Sequence, residues 1–381
     1  MRRSTERILT THTGSLPRPK DLLALLRERE EGRLRDEAKL HALARVAVRD
    51  VVAKQVETGL AIVNDGEQGK ADYTVYVKDR LTGFDGESGP WPNPNPDTDE
   101  FPEWAEMARQ FAPPFQKRPA CTGPVAWKDW PAVERDIKNL KDAPAAAGAD
   151  DVFMTSPSPG QIGRFLQNQY YRTDEEYLYT LADVMKREYE AIVAAGFLLQ
   201  VDCPDLALGR HTQFAHLTLE VFRRVAAMHI EVLNHALAGI PADRVRMHVC
   251  WASTAGPHHT DVPLRDIVDV IIRAKPEALV IAGANPRHEH EWKVWKQTRL
   301  PKGKILVAGV IDSTTNFIEH PELVAERIVR YASVVGRDNV IAGVDCGFGT
   351  FAGRVQVDTN IVWHKLRSLA EGARLASHEL W

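Results

Sequence analysis

The stretch from Val245 to Trp251, with the sequence VRMHVCW, has the residue types of a short buried β-strand that ends in metal-ligating side chains. Side chains two residues apart in a strand point to the same face of the sheet. His248 and Cys250 should therefore share one face near the carboxyl end of this strand. A second apolar run, Asn339 to Gly347, ends in Asp-Cys-Gly. Its cysteine, Cys346, is expected at the corresponding end of a later strand.

Short β-branched runs that end in Gly, Asp or Pro recur along the chain and alternate with amphipathic stretches of roughly 15 to 20 residues. We predict eight strands, near Ile8–Thr13, Leu60–Asp65, Val152–Ser156, Phe197–Asp202, Val245–Cys250, Ala278–Gly283, Ile305–Ile311 and Val340–Asp345. Helices are predicted over Leu40–Gly59, Glu175–Gly196, Leu217–Gly239, Leu264–Lys275, Glu322–Gly336 and Thr359–Leu375. Several of these end at a glycine, as helices commonly do.

Eight strand–helix units predict an α/β protein of the (β/α)8 TIM-barrel class, with one domain over residues 1–381. In that fold the active site lies at the carboxyl ends of the strands. Polar side chains cluster at the predicted strand ends: Asp65, Asp202, His248, Asp312 and Cys346. A doubly wound open sheet is the alternative architecture.

Residues 70–150 break this rhythm, and we predict that they form an insertion after the second strand. The segment is rich in Pro, Trp and acidic residues and has little periodicity. Within it, Pro119–Trp127 is expected to form an extra strand or hairpin. Such an insertion often covers the mouth of a site, but a purely structural appendage fits the sequence equally well.

The composition is that of an ordinary globular protein, with 381 residues, 44% hydrophobic residues and a formal net charge of −4. This near-neutral balance argues against nucleic acid or a membrane surface as a partner. No apolar run approaches the ~18 residues of a membrane span, and the amino terminus lacks a signal-peptide core. Four cysteines in so long a chain are not a disulfide framework, so we expect a cytoplasmic protein. Nothing in the sequence fixes the oligomeric state.

His248, Cys250 and Cys346 combine one imidazole with two thiols, which is a ligand set of zinc sites. Three protein ligands would leave a fourth position open for chemistry. The alternative is that these are core residues, because buried cysteine behaves as a small hydrophobe. The spacing alone leaves both interpretations open.

Five segments occur in the order TTHTGSLPRP (10–19), DGEQG (65–69), QVDCP (200–204), HVC (248–250) and DCG (345–347). Together they resemble the motifs of the catalytic domain of cobalamin-independent methionine synthases, over nearly the whole chain outside the insertion. NPRHEHEW (285–292) and GVIDSTTN (309–316) resemble single-domain relatives of that enzyme, which include the zinc-dependent epoxyalkane:coenzyme M transferases.

The resemblance implies a zinc ion held by His248, Cys250 and Cys346, with a small thiol as the incoming ligand. A thiol with a pKa near ~8.5 is mostly protonated at neutral pH, and coordination to zinc deprotonates it. The resulting thiolate can attack an electrophilic carbon.

The same resemblance implies that Glu67 and Asp202 bind the ammonium group of an amino-acid thiol such as homocysteine. Two carboxylates at strand ends are a suitable complement for an ammonium group. The backbone near Thr13 and Ser15 would bind the carboxylate of that substrate. Alternatively, Glu67 and Asp202 cap the helices that follow them.

The sequence departs from the family pattern at two positions. Ala282 stands where a glutamate supplies a further zinc ligand in the synthase. The site would then have three protein ligands, or take an extra ligand or outer partner from nearby loops: His258, His288 or Glu289. Thr314 stands where the synthase has a histidine that acts as an acid near the end of the seventh strand. The threonine hydroxyl is too weak an acid to replace that histidine directly. We treat Asp312 and Thr314 as the candidate catalytic residues.

Two histidine pairs, His258-His259 and His288/His290, suggest a second metal site. They follow turn signals in polar loops, so we expect solvated or substrate-facing histidines instead. Asp261 and Asp312 are expected to orient ligand histidines, because metal-bound imidazoles usually have such partners.

These observations predict a zinc-dependent S-methyl or S-alkyl transferase that acts on a small thiol and uses a methyl or alkyl donor. Both departures favour a thiol alkylation other than methionine synthesis, such as that of the epoxyalkane:coenzyme M transferases. Two alternatives of other classes stay open. One is a metal-free barrel similar to uroporphyrinogen decarboxylase, and the other is a protein that binds a methyl carrier.

Overall fold

Seven parallel strands form one sheet in the computed structural model, which describes residues 1–89, 99–109 and 117–381. The strands are β1 Ile62–Asn64, β2 Asp151–Pro157, β3 Leu198–Asp202, β4 Val245–Val249, β5 Ala278–Ile281, β6 Ile305–Ile311 and β7 Val340–Val344. They lie in chain order, and every neighbouring pair is parallel. Seven of the eight predicted strands are therefore confirmed as regular strands. Their observed ends lie within two residues of the predicted ends.

The first predicted strand, Ile8–Thr13, forms only an isolated bridge, between Thr10 and Ala342. It nevertheless hydrogen-bonds to both edges of the sheet. The Thr11 N–H donates to the carbonyl of Ala342 at 2.9 Å, and the Ile62 N–H donates to the carbonyl of Thr10 at 2.9 Å. This segment therefore lies between β7 and β1.

Helices connect most of the strands. The α-helices are Lys20–Glu30, Glu37–Thr58, Val77–Arg80, Pro102–Ala108, Trp130–Lys141, Pro159–Phe165, Asp174–Ala194, Leu219–Ala236, Val268–Ile271, Val294–Gln297, Pro321–Val335 and Thr359–Leu380. Gly59 ends the second of these in the left-handed conformation, with φ 95°, as its position in the sequence predicts. No helix among the described residues is long and apolar enough to cross a membrane.

Apolar side chains fill both faces of the sheet. The larger cluster packs the strands against the helices, and the smaller one lies on the opposite face: Leu9, Ile62, Phe153, Leu198, Ala278, Val280, Ile305, Val307 and Ile341. Because the smaller cluster joins residues of both edge strands, the sheet is curled. Arg246 is buried beside this cluster, 4.1 Å from the ring centroid of Phe153, and donates to Thr11 Oγ1 at 3.0 Å.

Two sequence predictions are wrong in detail. The helix expected over Leu264–Lys275 is a 3-10 turn, Leu264–Asp266, followed by one short helix, Val268–Ile271. Its many β-branched residues lose side-chain freedom in a helix, which disfavours a longer one. The strand or hairpin expected over Pro119–Trp127 is reduced to isolated bridges at Cys121 and Trp127. Residues 90–98 and 110–116 of the predicted 70–150 insertion lie outside the described residues, and the insertion itself stays a prediction.

Candidate metal centre

The carboxyl ends of β4 and β7 bring the three predicted metal ligands together. His248 lies on β4, Cys250 follows that strand, and Cys346 follows β7. One nitrogen of the imidazole and the two sulfurs lie within 4.8 Å of one another, and all three residues are buried. The sulfurs of Cys250 and Cys346 are 3.9 Å apart, and neither forms a disulfide.

This arrangement fits a tetrahedral metal ion. With metal–sulfur bonds of about 2.3 Å, two thiolate ligands of one zinc ion are about 3.8 Å apart, close to the separation of the Cys250 and Cys346 sulfurs. The Nε2 atom of His248 is buried and makes no hydrogen bond within the described part of the chain. An unpaired buried nitrogen is costly unless another partner binds it. In the described residues, no carboxylate joins the group, so the candidate ligand set consists of these three side chains.

Hydrogen bonding within the group shifts the pKa values of its members. The Cys346 thiol donates to the sulfur of Cys250, which lowers the pKa of Cys250 and raises that of Cys346. Burial lowers the pKa of His248, but contacts with Asp202 and Cys346 outweigh burial and raise this pKa to about 10. The group therefore favours negative charge on sulfur and positive charge beside it, which is the electrostatic pattern of a metal–thiolate site.

Asp202 orients His248. The two residues lie opposite each other in the register of β3 and β4, and Nδ1 of His248 is 3.1 Å from Oδ1 of Asp202. The same carboxylate oxygen accepts a hydrogen bond from Gln200 Nε2 at 2.8 Å. Placing the imidazole proton on Nδ1 leaves Nε2 as the free ligand atom. Asp202 therefore has the orienting role that the sequence analysis assigned to Asp261 and Asp312.

Glu67 lies near Asp202 in a strained backbone conformation. Its φ is 56°, which is unusual for a residue other than glycine, and Asp65 Oδ1 accepts its N–H at 3.0 Å. Oε1 accepts a hydrogen bond from Thr155 at 2.9 Å, whereas the buried Oε2 has no hydrogen-bond partner among the described residues. Burial and the nearby Asp202 carboxylate raise the pKa of Glu67 to about 7. Two buried carboxylates with an unsatisfied oxygen form a site that favours a cation.

Thr13 hydrogen-bonds to β3 and β7, and Ser15 hydrogen-bonds to the loop that follows β7. Thr13 Oγ1 donates to the carbonyl of Val344 at 2.7 Å, and the carbonyl of Thr13 accepts a hydrogen bond from Gln200. A Cβ atom on Gly14 would lie 2.6 Å from Glu67 Oε1, so only glycine fits there. The Oγ of Ser15 accepts the N–H of Gly349 at 3.3 Å in the loop that follows Cys346.

Ala282 follows β5 and is buried, and its methyl side chain offers no ligand atom. The turn after it is held by Asp345, whose carboxylate accepts the N–H groups of Gly283, Ala284 and Asn285 at 2.8 to 2.9 Å. Burial raises the pKa of Asp345. Asp345 thereby anchors the end of β5 to the residue that precedes Cys346.

The candidate catalytic residues Asp312 and Thr314 contact each other. The Asp312 carboxylate accepts hydrogen bonds from the Thr314 hydroxyl at 2.8 Å and from its N–H at 2.9 Å. The Asp312 N–H donates to Glu319 at 2.9 Å. These bonds hold the turn after β6, and a catalytic role for the two residues stays a prediction.

The three residues proposed as extra ligands or outer partners lie apart from the three metal ligands. Glu289 pairs with Arg327 at 3.0 Å and with Arg330 at 3.6 Å. His258 and His288 are both buried and both contact Asp261. The expectation of solvated histidines therefore holds for the exposed His259 and His290 but not for this buried pair.

Sequence reasoning did not single out His211 or Asp345. His211 ends a 3-10 turn, Leu208–His211, and lies 2.9 Å from Asp261. No regular spacing marks such a turn, so nothing in the sequence indicates this contact. Asp345 does have a signal, because it ends an apolar run directly before Cys346.

Comparisons with known proteins extend over nearly the whole chain. No model of a protein family matches it. A methionine synthase of Saccharolobus islandicus (strain Y.N.15.51 / Yellowstone #2) is 25% identical over 376 residues, which cover 97% of this chain and 95% of that protein. A methionine synthase of Saccharolobus solfataricus is 23% identical over the same span. The structure of a B12-independent methionine synthase from Shewanella sp. W3-18-1 has a TM-score of 0.74 at 20% identity and covers 98% of this chain and 99% of that one.

The fold and the site together define an α/β protein of curled parallel strands that has a buried imidazole and two thiols at the strand ends. The chain is similar over nearly its whole length to single-chain methionine synthases of archaea, and it shares the fold of a B12-independent methionine synthase, which agrees with the resemblance seen in its sequence motifs. The relatives named above are methionine synthases, which are enzymes, and this chain is similar to them over nearly its full length.

Proposed function

We propose that this protein transfers a methyl or alkyl group to the sulfur of a small amino-acid thiol of the homocysteine type. The observation that carries the proposal is that His248, Cys250 and Cys346 converge beside the buried carboxylates of Glu67 and Asp202. The first group suits a thiol-binding metal ion, and the second suits the ammonium group of the same substrate.

His248, Cys250 and Cys346 would hold the metal, for which zinc is the ion that the donor set favours. When bound there, zinc would lower the pKa of a thiol ligand and so supply a thiolate nucleophile at neutral pH. Asp202 would hold the His248 ring in place with a proton on Nδ1, so that Nε2 is the atom that would bind the metal once its own proton is displaced. The two cysteine sulfurs already lie 3.9 Å apart, and both would lose their protons when a metal ion binds.

Glu67 and Asp202 would bind the ammonium group of the substrate. An ammonium placed between them offers a donor to the unpaired Oε2 of Glu67 and offsets the repulsion that raises the pKa of Glu67. The segment Thr13–Ser15 lies against Glu67 and the loop after Cys346, where its N–H groups can meet a carboxylate. The ammonium and carboxylate groups would thus hold one end of the substrate, and the sulfur at its other end would face the cysteines.

The architecture and the insertion are part of the same proposal. We propose that Ile8–Thr13 serves as the first strand of a (β/α)8 barrel, supported by its hydrogen bonds to β7 and to Ile62. We further propose that 70–150 is an insertion within a single 1–381 domain and covers the site. In support, Glu100 lies 2.9 Å from His259, and the Trp104 ring lies against Gly256, both in the loop after β4.

A second candidate is alkylation of a mercaptosulfonate such as coenzyme M. The observation that favours it is Arg354, which is largely buried near Cys346 and whose Nε has no hydrogen-bond partner in the described residues. A guanidinium group there suits a sulfonate. Ala282 and Thr314 also depart from the pattern of the synthase. Coenzyme M has no ammonium group, however, so it would leave the carboxylates of Glu67 and Asp202 unpaired.

X-ray absorption at the zinc edge, with and without each thiol, tests the proposal. We expect one added sulfur neighbour when homocysteine binds, with release of a proton, and no added sulfur with homoserine as the matched control. Added sulfur with coenzyme M alone would favour the second candidate. A folded protein that binds no metal, or that gains no sulfur neighbour with any thiol, would contradict both and favour a metal-free barrel or a methyl-carrier-binding protein.

A further inference from the structure

A second cluster of metal-ligating side chains is centred on Asp261, outside the candidate metal centre. His211 comes from the turn after β3, His258 from the loop after β4 and His288 from the segment after β5. All four side chains are at most 6% exposed. The mechanism proposed above makes no use of any of them.

Three imidazole nitrogens converge on the one carboxylate. His211 Nδ1 lies 2.9 Å from Oδ1 of Asp261, and His288 Nε2 lies 3.0 Å from Oδ2. His258 Nδ1 is 3.1 Å from both oxygens. One ligand atom each from His211, His258 and Asp261 falls within 4.8 Å of the others, which is close enough for one ion to reach all three.

One of these contacts is not a hydrogen bond, although its length suits two ligands of one metal ion. Despite its 2.9 Å approach, the buried Nδ1 of His211 makes no hydrogen bond with Asp261, and His258 Nδ1 faces the carboxylate symmetrically. At the right angles of an octahedral ion, such as iron(II) held by two histidines and one carboxylate, nitrogen and oxygen ligands bound at about 2.1 Å lie about 3.0 Å apart. Distances of 2.9 to 3.1 Å are therefore those expected between ligands of one ion.

The surroundings hold these side chains in place. Glu291 Oε2 is 2.7 Å from His288 Nδ1, and the Trp251 ring lies over the His288 ring, with centroids 4.3 Å apart. Thr254 Oγ1 is 2.7 Å from His258 Nε2. His258 itself has a φ of 50°, a strained backbone conformation that must be supported by its neighbours. Metal-bound imidazoles characteristically have such outer partners on their second nitrogen.

We propose that His211, His258 and Asp261 bind a divalent transition-metal ion, with His288 bonded to the second oxygen of Asp261 from outside the coordination shell. Two imidazoles and a carboxylate suit zinc, cobalt(II) or iron(II). The ion would tie together the loops that follow β3 and β4, and the bond from His288 to Asp261 would add the segment after β5. One of these loops begins directly after Cys250, so this second ion would steady the candidate metal centre without touching it. The inference goes beyond the proposed function and does not depend on it.

Cobalt(II) titration of the chelator-treated protein tests the second site, because only thiolate ligands give an intense sulfur-to-cobalt absorption band. We expect about two cobalt ions per wild-type chain and about one in His211→Ala, with the sulfur band retained. The double variant Cys250→Ser/Cys346→Ser should also bind about one ion, without the sulfur band. His235→Ala is the matched control, because this exposed histidine pairs with Asp183 at 2.7 Å, away from both sites.

A wild-type chain that binds a single cobalt ion, lost entirely in the folded double cysteine variant, would overturn the inference. So would an unchanged stoichiometry in His211→Ala and in Asp261→Asn. If the cysteine variant does not fold, X-ray absorption at the cobalt edge is measured instead on the wild-type protein with one and with two equivalents of cobalt(II). The comparison shows which ligands surround the second ion. A purely nitrogen and oxygen shell for the second ion supports the site, and sulfur at both ions excludes it.

Discussion

Nδ1 of His248 lies 3.1 Å from Oδ1 of Asp202, its direct neighbour on the adjacent parallel strand. In the function proposed above, Asp202 would contribute to the site twice, once by orienting the imidazole of His248 and once as a partner of Glu67 around a cation. The register of β3 and β4 would then couple metal binding to substrate binding. The two roles can be separated by experiment.

Replacing Asp202 with asparagine should weaken metal binding at the candidate centre by about 10- to 100-fold. The amide keeps the shape of the side chain but no longer stabilises the Nδ1–H form of His248 as a carboxylate does. Competition with a chromogenic zinc chelator measures the change. Asp183→Asn, at the exposed partner of His235, is the control, and equal affinity in the two variants would contradict the orienting role.

Cys346→Ser should lose the metal of the centre while it keeps the fold, because a serine hydroxyl is a weak zinc ligand of nearly the same size. Zinc content after gel filtration and circular dichroism give the two readouts. Cys121→Ser is a matched control, since Cys121 is also a buried cysteine without a disulfide and is distant from Cys346 in the sequence. Its thiol lies 3.4 Å from the carbonyl oxygen of Gly123. Retention of zinc in Cys346→Ser would remove this residue from the ligand set.

Glu67→Gln should stabilise the substrate-free protein at pH 8 but not at pH 5. The pKa of Glu67 is raised to about 7 in the folded state, so folding retains a proton there that the unfolded chain releases at lower pH. This favourable contribution is present below the unfolded pKa and is lost as pH rises through about 7. At about 1.4 kcal/mol per pKa unit, the gain at pH 8 is up to roughly 3 kcal/mol.

Thermal unfolding at the two pH values measures this difference, and Glu57→Gln on an exposed helix position is the control. An equal change in Tm at pH 5 and pH 8 would show that Glu67 is not held near Asp202 in this way. The same variant should bind homocysteine more weakly at pH 8, because it loses one carboxylate partner of the ammonium group.

Ala282→Glu should weaken the binding of thiols to the zinc-loaded protein. The new carboxylate would follow β5, where the synthase has a ligand, and would compete for the position that a thiol takes in a three-ligand site. Titration with homocysteine and coenzyme M, followed by proton release, measures the change. Ala282→Gln has the same size and a poorer ligand atom, so it controls for crowding. Tighter thiol binding in the glutamate variant would place residue 282 away from the metal.

The sequence predicted the parallel strands and the placement of His248, Cys250 and Cys346 at strand ends, because these depend on local patterns. Apolar runs with β-branched residues indicate buried strands, and glycines such as Gly59 mark helix ends. His248 and Cys250 share a face because of strand alternation alone. The resemblance to a known family supplied Glu67 and Ser15, which no local pattern identifies.

Features that depend on packing between distant segments were not predictable in this way. The contact of Asp202 with His248 requires the register of β3 and β4, and the approach of His211 to Asp261 requires the path of two loops. Burial of His258 and His288 was also missed, because polar, turn-rich sequence usually indicates exposure. In each case the deciding quantity is a tertiary distance that no single stretch of sequence contains.

The hydrogen bonds that join Thr11 to Ala342 and Thr10 to Ile62 have a consequence for synthesis. A ribosome makes this segment before β1 to β7, yet one of its two partners, Ala342, lies on the last of those strands. Contacts between such distant segments form slowly, because a long loop must close before they stabilise anything. The amino-terminal segment, with Thr13 and Ser15, can therefore take its native place only after β7 has left the ribosome. Until then the edges of the sheet in the nascent protein are unpaired. Chaperones or rapid completion of folding must prevent these edges from associating with other chains.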